Sequence, residues 1–193
     1  MQLDDILEQY PKPVKLKDGT EVTLRPLQAI DEEEFHKFFV AVPDKERIHF
    51  KHRVIDPKVI HEWCQHIDYG RILPLLALVG GKVIGDASLH QTLAGWKRHI
   101  GRVSVTVHPA MRGKGLASVM VRELIDIARN VGLEKLEAEF LADMKSARYV
   151  FAELGFQELA AMPDYVKDMQ AISHDYVLMG RQITTDEEYA GMG

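Results

Sequence analysis

A single cysteine, Cys64, in 193 residues excludes an intramolecular disulfide and fits a reducing compartment. No stretch approaches the roughly 20 apolar residues that cross a bilayer. The opening, M-Q-L-D-D-I-L-E-Q-Y, is acidic where a secretory leader would be basic and then apolar. A cytoplasmic chain that does not meet a membrane is therefore expected. Lysine and arginine total 24 against 29 acidic residues, a net charge of −5, which argues against a dedicated nucleic-acid binder. No internal repeat, low-complexity tract or linker is evident. One domain is expected over 21–183, after an N-terminal helix and lead-in over 1–20 and before a polar tail over 184–193.

A second shortage is local. From Ala87 to Arg122 there is no aspartate or glutamate, while Lys97, Arg98, Arg102, Arg112, Lys114 and Arg122 all lie there, with His90, His99 and His108. A positive groove would attract an anionic ligand, although Lys97 and Arg98 read as a solvated basic loop. At the centre of this segment stands V-S-V-T-V-H-P-A-M-R-G-K-G-L-A, Val103 to Ala117. Its β-branched run favours a strand. His108-Pro109 breaks the strand, and Arg112-Gly113-Lys114-Gly115 turns into a helix that should reach about Asn130. The first N–H groups of a helix lack intrahelical acceptors, and its dipole is positive there, so such a junction suits an anion.

The flanking chain alternates helical and strand patterns. Leu3, Ile6, Leu7 and Tyr10 have helical spacing, ended by Pro11 and Pro13. A strand is expected at 21–25. Asp31 should cap a helix carrying Phe35, Phe38 and Phe39, with Glu34 completing a capping box. Asp56-Pro57 should open another. Strands at 75–79 and 82–89 flank Gly80-Gly81, a hairpin signal. After the long helix, Leu136, Ala138 and Phe140 alternate with Glu137 and Glu139 in a half-exposed strand. A helix capped by Asp143 and ended by Gly155 follows, then strands near 157–159 and 176–179. The expected architecture is mixed α/β: a mostly antiparallel sheet with one parallel crossover at the motif and helices on both faces.

The string Arg112-Gly113-Lys114-Gly115-Leu116-Ala117 resembles the R/Q-x-x-G-x-G/A signature of the GNAT superfamily of acyl-CoA N-acyltransferases. Ala147 to Phe156, A-R-Y-V-F-A-E-L-G-F, resembles that family's second signature helix, and L-R-P-L at Leu24–Leu27 resembles its first strand. The resemblance implies acetyl-CoA as co-substrate. Its pantetheine would pair along Val105 and Val107, and its pyrophosphate would meet Arg112, Gly113, Lys114, Gly115, Leu116, Ala117 and Ser118. Met144 and Phe151 would border the same site. The implied function is transfer of an acetyl group to a primary amine of a small molecule or a protein. A homodimer is allowed.

Two rival readings of the loop are weaker. A G-x-G-x-x-G dinucleotide loop would need glycine at Ser118 and repeated βαβ units. A phosphate loop would need Lys-Ser/Thr where Leu116-Ala117 stand. The nine histidines show no H-E-x-x-H. His49 with His52, and His61 with Cys64, have i,i+3 spacing without further ligands, so no metal is expected.

The chemistry needs a proton acceptor for the amine and a donor for the leaving thiolate. The resemblance implies a glutamate near the central strand and a tyrosine in the second signature helix, but Arg102 and Phe151 stand there, with Met144 in place of a common asparagine. His108 and Asp86 are the candidate bases, with His90 behind them. Tyr165 and Tyr176 are reachable from the terminal strands. The missing pair also motivates a different class of function, a non-catalytic acyl-CoA-binding sensor. A third reading is a nucleotide-binding α/β domain that prefers NAD or ATP to coenzyme A.

Overall fold

A computed structural model describes residues 3–184. An eight-stranded sheet runs in the order β1-β2-β3-β4-β5-β6-β8-β7. The strands are β1 (Lys12–Lys15), β2 (Glu21–Pro26), β3 (Ile72–Val79), β4 (Lys82–Gln91), β5 (Ile100–Val107), β6 (Lys135–Leu141), β7 (Gln157–Lys167) and β8 (Ser173–Gln182). Every neighbouring pair is antiparallel except β5 and β6. That parallel pair flanks the motif helix, as the expected crossover requires. The helices are α1 (Leu3–Leu7), α2 (Glu32–Ala41), α3 (Asp44–Arg47), α4 (Pro57–Gln65), α5 (Leu116–Asn130) and α6 (Lys145–Glu153).

Strand periodicity divides the core between two faces. On one, Leu75, Ala77, Ala87, Leu89 and Val103 pack against Met120, Leu124 and Ile127 of α5, and Phe151 and Leu154 of α6 join them. Gly85 lets α5 approach, since a Cβ there would stand 2.8 Å from the Met120 sulfur. On the other face, Leu76, Leu78 and Val83 lie with Phe35, Phe38 and Phe39 of α2 and Ile60 and Cys64 of α4. Phe39 meets Phe38 and Trp63 edge-on, at centroid distances of 5.1 and 6.1 Å.

The N-terminal segment belongs to the same sheet and core. Ile6 and Leu16 are buried in the α5-side core. The Tyr10 hydroxyl and the Lys12 ammonium both reach Glu123 of α5 at 2.8 Å. Pro11 and Pro13 do end the first helix, but Pro13 also lies inside β1, an edge strand, where a missing N–H costs no ladder bond.

Two expected caps are not made. The buried Asp31 carboxylate turns away from α2 to accept two 2.6 Å hydrogen bonds from Arg25 and one from the Gln28 N–H. Helix α6 is preceded by Met144 without a side-chain cap, so Asp143 does not serve as one. Asp56 does cap α4, accepting from the Lys58 N–H at 3.0 Å with Pro57 first in the helix. Gly80 and Gly81 both have positive φ, as the β3–β4 hairpin requires. Strands β7 and β8 extend well beyond the short runs expected. Residues 185–193 of the expected tail fall outside the described residues.

Candidate active site

The parallel pair is short. Strand β5 meets β6 only from Ile100 to Arg102. From Val103 to Val107, β5 is still bonded to β4 but has no strand partner on its other edge among the described residues. Backbone N–H and C=O groups on that edge can pair with an extended ligand. The opening leads to the α5 N-terminus. There Gly113 and Gly115 have φ of 74° and 85°, a region open to glycine at no steric cost. No side chain caps α5. The Val119 N–H makes the first intrahelical bond, to the Gly115 carbonyl at 3.1 Å, so the preceding N–H groups have no helical acceptor.

The cations of this loop have protein partners. Arg112 donates to both carboxylate oxygens of Glu46, at 2.8 and 2.9 Å, and to the Val107 carbonyl at 3.4 Å. Lys114 lies 3.0 Å from the Asp18 carboxylate, in the turn between β1 and β2. Both pairs are solvent-exposed and therefore weakly held.

A cleft of about 630 Å³ lies on the α2–α4 face, a size suited to a small ligand. One end is apolar, walled by Phe35, Phe39, Phe50 and Trp63; the other reaches Phe140, Met144 and Phe151 beside the β5–β6 opening. Its floor is polar because of strand alternation. Asp86, Ser88 and His90 of β4 lie opposite Thr106, Ser104 and Arg102 of β5, and all six line the cleft.

Asp86 is the most perturbed group there. Burial pushes its carboxyl from the ordinary 3.8 to about 7, against an opposing hydrogen bond from Ser88. One carboxylate oxygen is inaccessible and without a hydrogen-bond partner. His90 is displaced the other way, to about 4, by burial and then by the positive charges of Arg102 and Lys51. It is therefore neutral at physiological pH. Glu139 of β6 receives Lys51, stands 3.6 Å from Arg102 and accepts from the Tyr176 hydroxyl at 3.2 Å. Burial opposes its ionisation, but these partners outweigh it and hold its pKa below the usual value. Tyr176 is pushed up to about 12 by burial and by Glu139.

The Acetyltransferase (GNAT) family model matches residues 27–156, more than half of the chain. The chain belongs to the GNAT acetyltransferase family. YwnH, a Bacillus subtilis acetyltransferase, is 30% identical over 82 residues, 42% of this chain and 50% of that protein. The L-amino acid N-acetyltransferase AaaT of Escherichia coli is 24% identical over 99 residues, 50% of this chain and 61% of that one. The chain thus spans between half and three fifths of the length of these two curated relatives. Among solved structures, Salmonella typhimurium yncA with its cofactor acetyl-CoA superposes with a TM-score of 0.71 at 24% identity. It covers 86% of this chain and 96% of its own. That likeness is one of fold.

Of the residues singled out in the sequence, Asp86, His90, Val105, Met144 and Phe151 line the cleft of this GNAT chain. Val107 ends β5, Arg112, Gly113, Lys114 and Gly115 form the turn beyond it, and Leu116, Ala117 and Ser118 begin α5. Leu116 is buried, so its contribution to that turn is its backbone. Phe151 is buried between Phe140 and Phe156 with both rings edge-on at 5.0 Å; it is packing, not a proton donor. His108 follows β5, and its Nδ1 accepts the Ala110 N–H at 3.2 Å, capping the turn Pro109–Met111. His108 is not among the residues that line the cleft. Tyr165 packs against Tyr176 with the rings tilted by 48° and their centroids 5.7 Å apart. Lys97 pairs with Glu137 at 3.0 Å, which fits a solvated loop.

Lys51 and Glu139 also line the cleft, and sequence reasoning missed both. Glu139 reads as the wet side of an alternating strand, and its cleft-facing position depends on β6 splaying from β5. Lys51 comes from a loop with no pattern of its own.

Proposed function

We propose that this GNAT chain moves an acetyl group from acetyl-CoA to the primary amine of a small molecule that also carries an anionic group, an amino acid being the simplest case. The observation that carries the reading is Asp86, titrating near neutrality on a polar floor that adjoins the unpaired edge of β5. When bound, acetyl-CoA supplies the activated acyl group. The free β5 edge at Val103–Val107 suits the amides of a pantetheine arm, and the α5 N-terminus with Arg112 and Lys114 suits a pyrophosphate. Asp86 as carboxylate accepts the proton that an ammonium must lose before its nitrogen can attack. A pKa near the working pH gives a base that is both substantially ionised and adequately basic.

The anionic group of the acceptor is read from Arg102. Lys51 and Arg102 both face Glu139, but Arg102 stands 3.6 Å from it, which leaves guanidinium donors in the cleft for an anion. Burial, and after it these two cations, lowers the His90 pKa. The apolar wall of Phe35, Phe39, Phe50 and Trp63 suits a nonpolar side chain. The naming of AaaT as an L-amino acid N-acetyltransferase agrees with this. The buried free thiol of Cys64 supports a cytoplasmic location.

A thiol-release assay with acetyl-CoA tests the reading. L-amino acids with apolar side chains should release coenzyme A, and the corresponding amines without the carboxylate should be at least tenfold poorer in kcat/KM. Tight binding of acetyl-CoA without release with any amine would replace the enzyme with a sensor. Equal preference for NAD or ATP over coenzyme A in calorimetry would remove the cofactor assignment.

A further inference from the structure

Three side chains outside the proposed chemistry converge from distant parts of the chain. His49 follows α3, whereas Asp168 directly follows β7 and His174 lies at the start of β8. One ligand-competent atom from each lies within 4.8 Å of the other two. His174 Nε2 and an Asp168 oxygen are 2.8 Å apart, and the His49 and His174 rings stand perpendicular with centroids 5.2 Å apart. The hydrogen bond between His174 and Asp168 accounts for two members as an ordinary structural pair. It leaves the third unexplained. His49 Nδ1 is buried and has no hydrogen-bond partner, an unfavourable state for a polar atom.

We propose that His49, Asp168 and His174 form a binding site for a divalent transition-metal ion of the Zn2+ type, which ties the wall of the acceptor cleft to the β7–β8 hairpin. Two imidazoles and a carboxylate are a zinc-type donor set, with bonds of about 2.0–2.2 Å to nitrogen and oxygen. Tetrahedral donors at that range lie about 3.4 Å from one another, so modest side-chain rotation from the observed separations completes the site. A fourth position is left for water.

The carboxylate is already oriented for this. The Asp168 side chain is 1% exposed, and its other oxygen accepts the N–H groups of Gln170 and Ile172 at 2.8 and 3.0 Å. Such outer hydrogen bonds fix a ligating carboxylate and strengthen metal binding. The two segments also meet through backbone, Met169 N–H to the Ile48 carbonyl at 3.0 Å. His49 lines the cleft, so an ion here would hold a cleft wall at the hairpin. The local spacing of His49 and His52 gives no hint of it, because the other ligands lie more than a hundred residues away.

The test uses the full chain after chelator treatment, titrated with Zn2+ by calorimetry, with Co2+ as a spectroscopic probe. One equivalent should bind. Asp168→Asn keeps an oxygen for the two backbone N–H groups but is a poor metal ligand, and it should weaken binding at least tenfold. His49→Gln should do the same, while the exposed His61→Ala should leave binding unchanged. Circular dichroism and coenzyme A affinity report whether each variant is folded. Hydrogen exchange at Met169 should slow on zinc addition in the parent and not in Asp168→Asn. Absence of stoichiometric binding, or equal affinity in folded Asp168→Asn and His49→Gln, would overturn the site. Binding without slowed exchange at Met169 would overturn the tie.

Discussion

Arg112 and Glu46 are joined by a two-pronged ion pair, with guanidinium nitrogens 2.8 and 2.9 Å from the carboxylate oxygens. It spans the chain from α3 to the glycine turn and occupies the arginine that the cofactor reading assigns to phosphate. A pyrophosphate must therefore compete with Glu46. Exposed pairs contribute at most about 1 kcal/mol, so Glu46→Gln should tighten coenzyme A binding by about two- to fivefold at low salt. The gain should shrink as salt screens the pair. Calorimetry at two ionic strengths checks both statements, and weaker binding in the variant would show that Glu46 positions Arg112 instead of competing for it.

Gly115 tests the other half of the anion site. Its φ of 85° disfavours any residue with a Cβ, at a cost of about 1–2 kcal/mol. The nearest atoms to a Cβ there are Lys17 carbons at 3.8–3.9 Å, so there is room for a side chain. Gly115→Glu should stay folded, melt a few degrees lower and lose measurable coenzyme A binding, because a carboxylate would stand at the mouth of α5. Normal affinity in the folded variant would move the pyrophosphate elsewhere.

What could be read in the sequence is what lies contiguous along the chain. The strand–turn–helix from Val103 to Asn130, the Gly80-Gly81 hairpin and the apolar stripe of α5 each need only their own neighbours. Asp31 shows the limit. Its position ahead of an apolar run specifies a cap, but Arg25 on β2 offers a buried bidentate partner, and that tertiary pair takes the carboxylate. The cleft goes further beyond local pattern. Asp86 is legible as a candidate base on the neighbouring strand, but its shift depends on burial in a cleft that also draws on α2, α4 and the loop carrying Lys51. Glu139 meets Lys51 and Arg102, and His49 meets His174, only through contacts between distant parts of the chain.

Arg102 is the proposed anchor for the anionic group of the acceptor. It is partly exposed in the cleft, and its nearest acid, Glu139, is 3.6 Å away, beyond hydrogen-bond range. Arg102→Ala should raise the acceptor KM at least tenfold with an amino-acid substrate, with coenzyme A affinity nearly unchanged. With an amine that lacks the carboxylate, the same substitution should have little effect. An equal loss on both acceptors would assign Arg102 to the structure of the floor.

Asp86 and His90 should leave opposite marks on stability. The Asp86 pKa rises from 3.8 to about 7 on folding, so between those values the folded state retains a proton that the unfolded state has lost. Stability from this group falls as pH rises through that window. The His90 pKa falls from 6.5 to about 4, so the unfolded state binds the extra proton, and stability falls as pH drops through that window. From about 4 to 6.5 the two slopes oppose each other. The parent should show a nearly flat melting temperature there, as far as these two groups govern it. Asp86→Asn should expose the His90 slope, with stability rising by an amount of order 1–3 kcal/mol across the window. Melting curves at half-unit pH steps measure it.

Asp86→Asn is also the decisive variant for catalysis, because stability and activity should move in opposite directions. At pH 8 the parent holds a buried carboxylate with one oxygen unpartnered, and the neutral amide removes that charge, so the variant should melt higher. If Asp86 accepts the amine proton, turnover should fall by about a hundredfold to ten-thousandfold, with coenzyme A affinity nearly unchanged. The limb of the parent pH–rate profile near 7, where activity rises as the carboxyl ionises, should vanish. His108→Ala provides the contrast. The Nδ1 of His108 caps the turn after β5, so its loss should loosen the cofactor loop and act mainly through acetyl-CoA KM. A variant at Asp86 that is more stable and equally active would transfer the proton to solvent and leave the site to work by positioning the amine against the thioester. A hundredfold loss of turnover in His108→Ala, with the neutral limb removed, would make His108 the base.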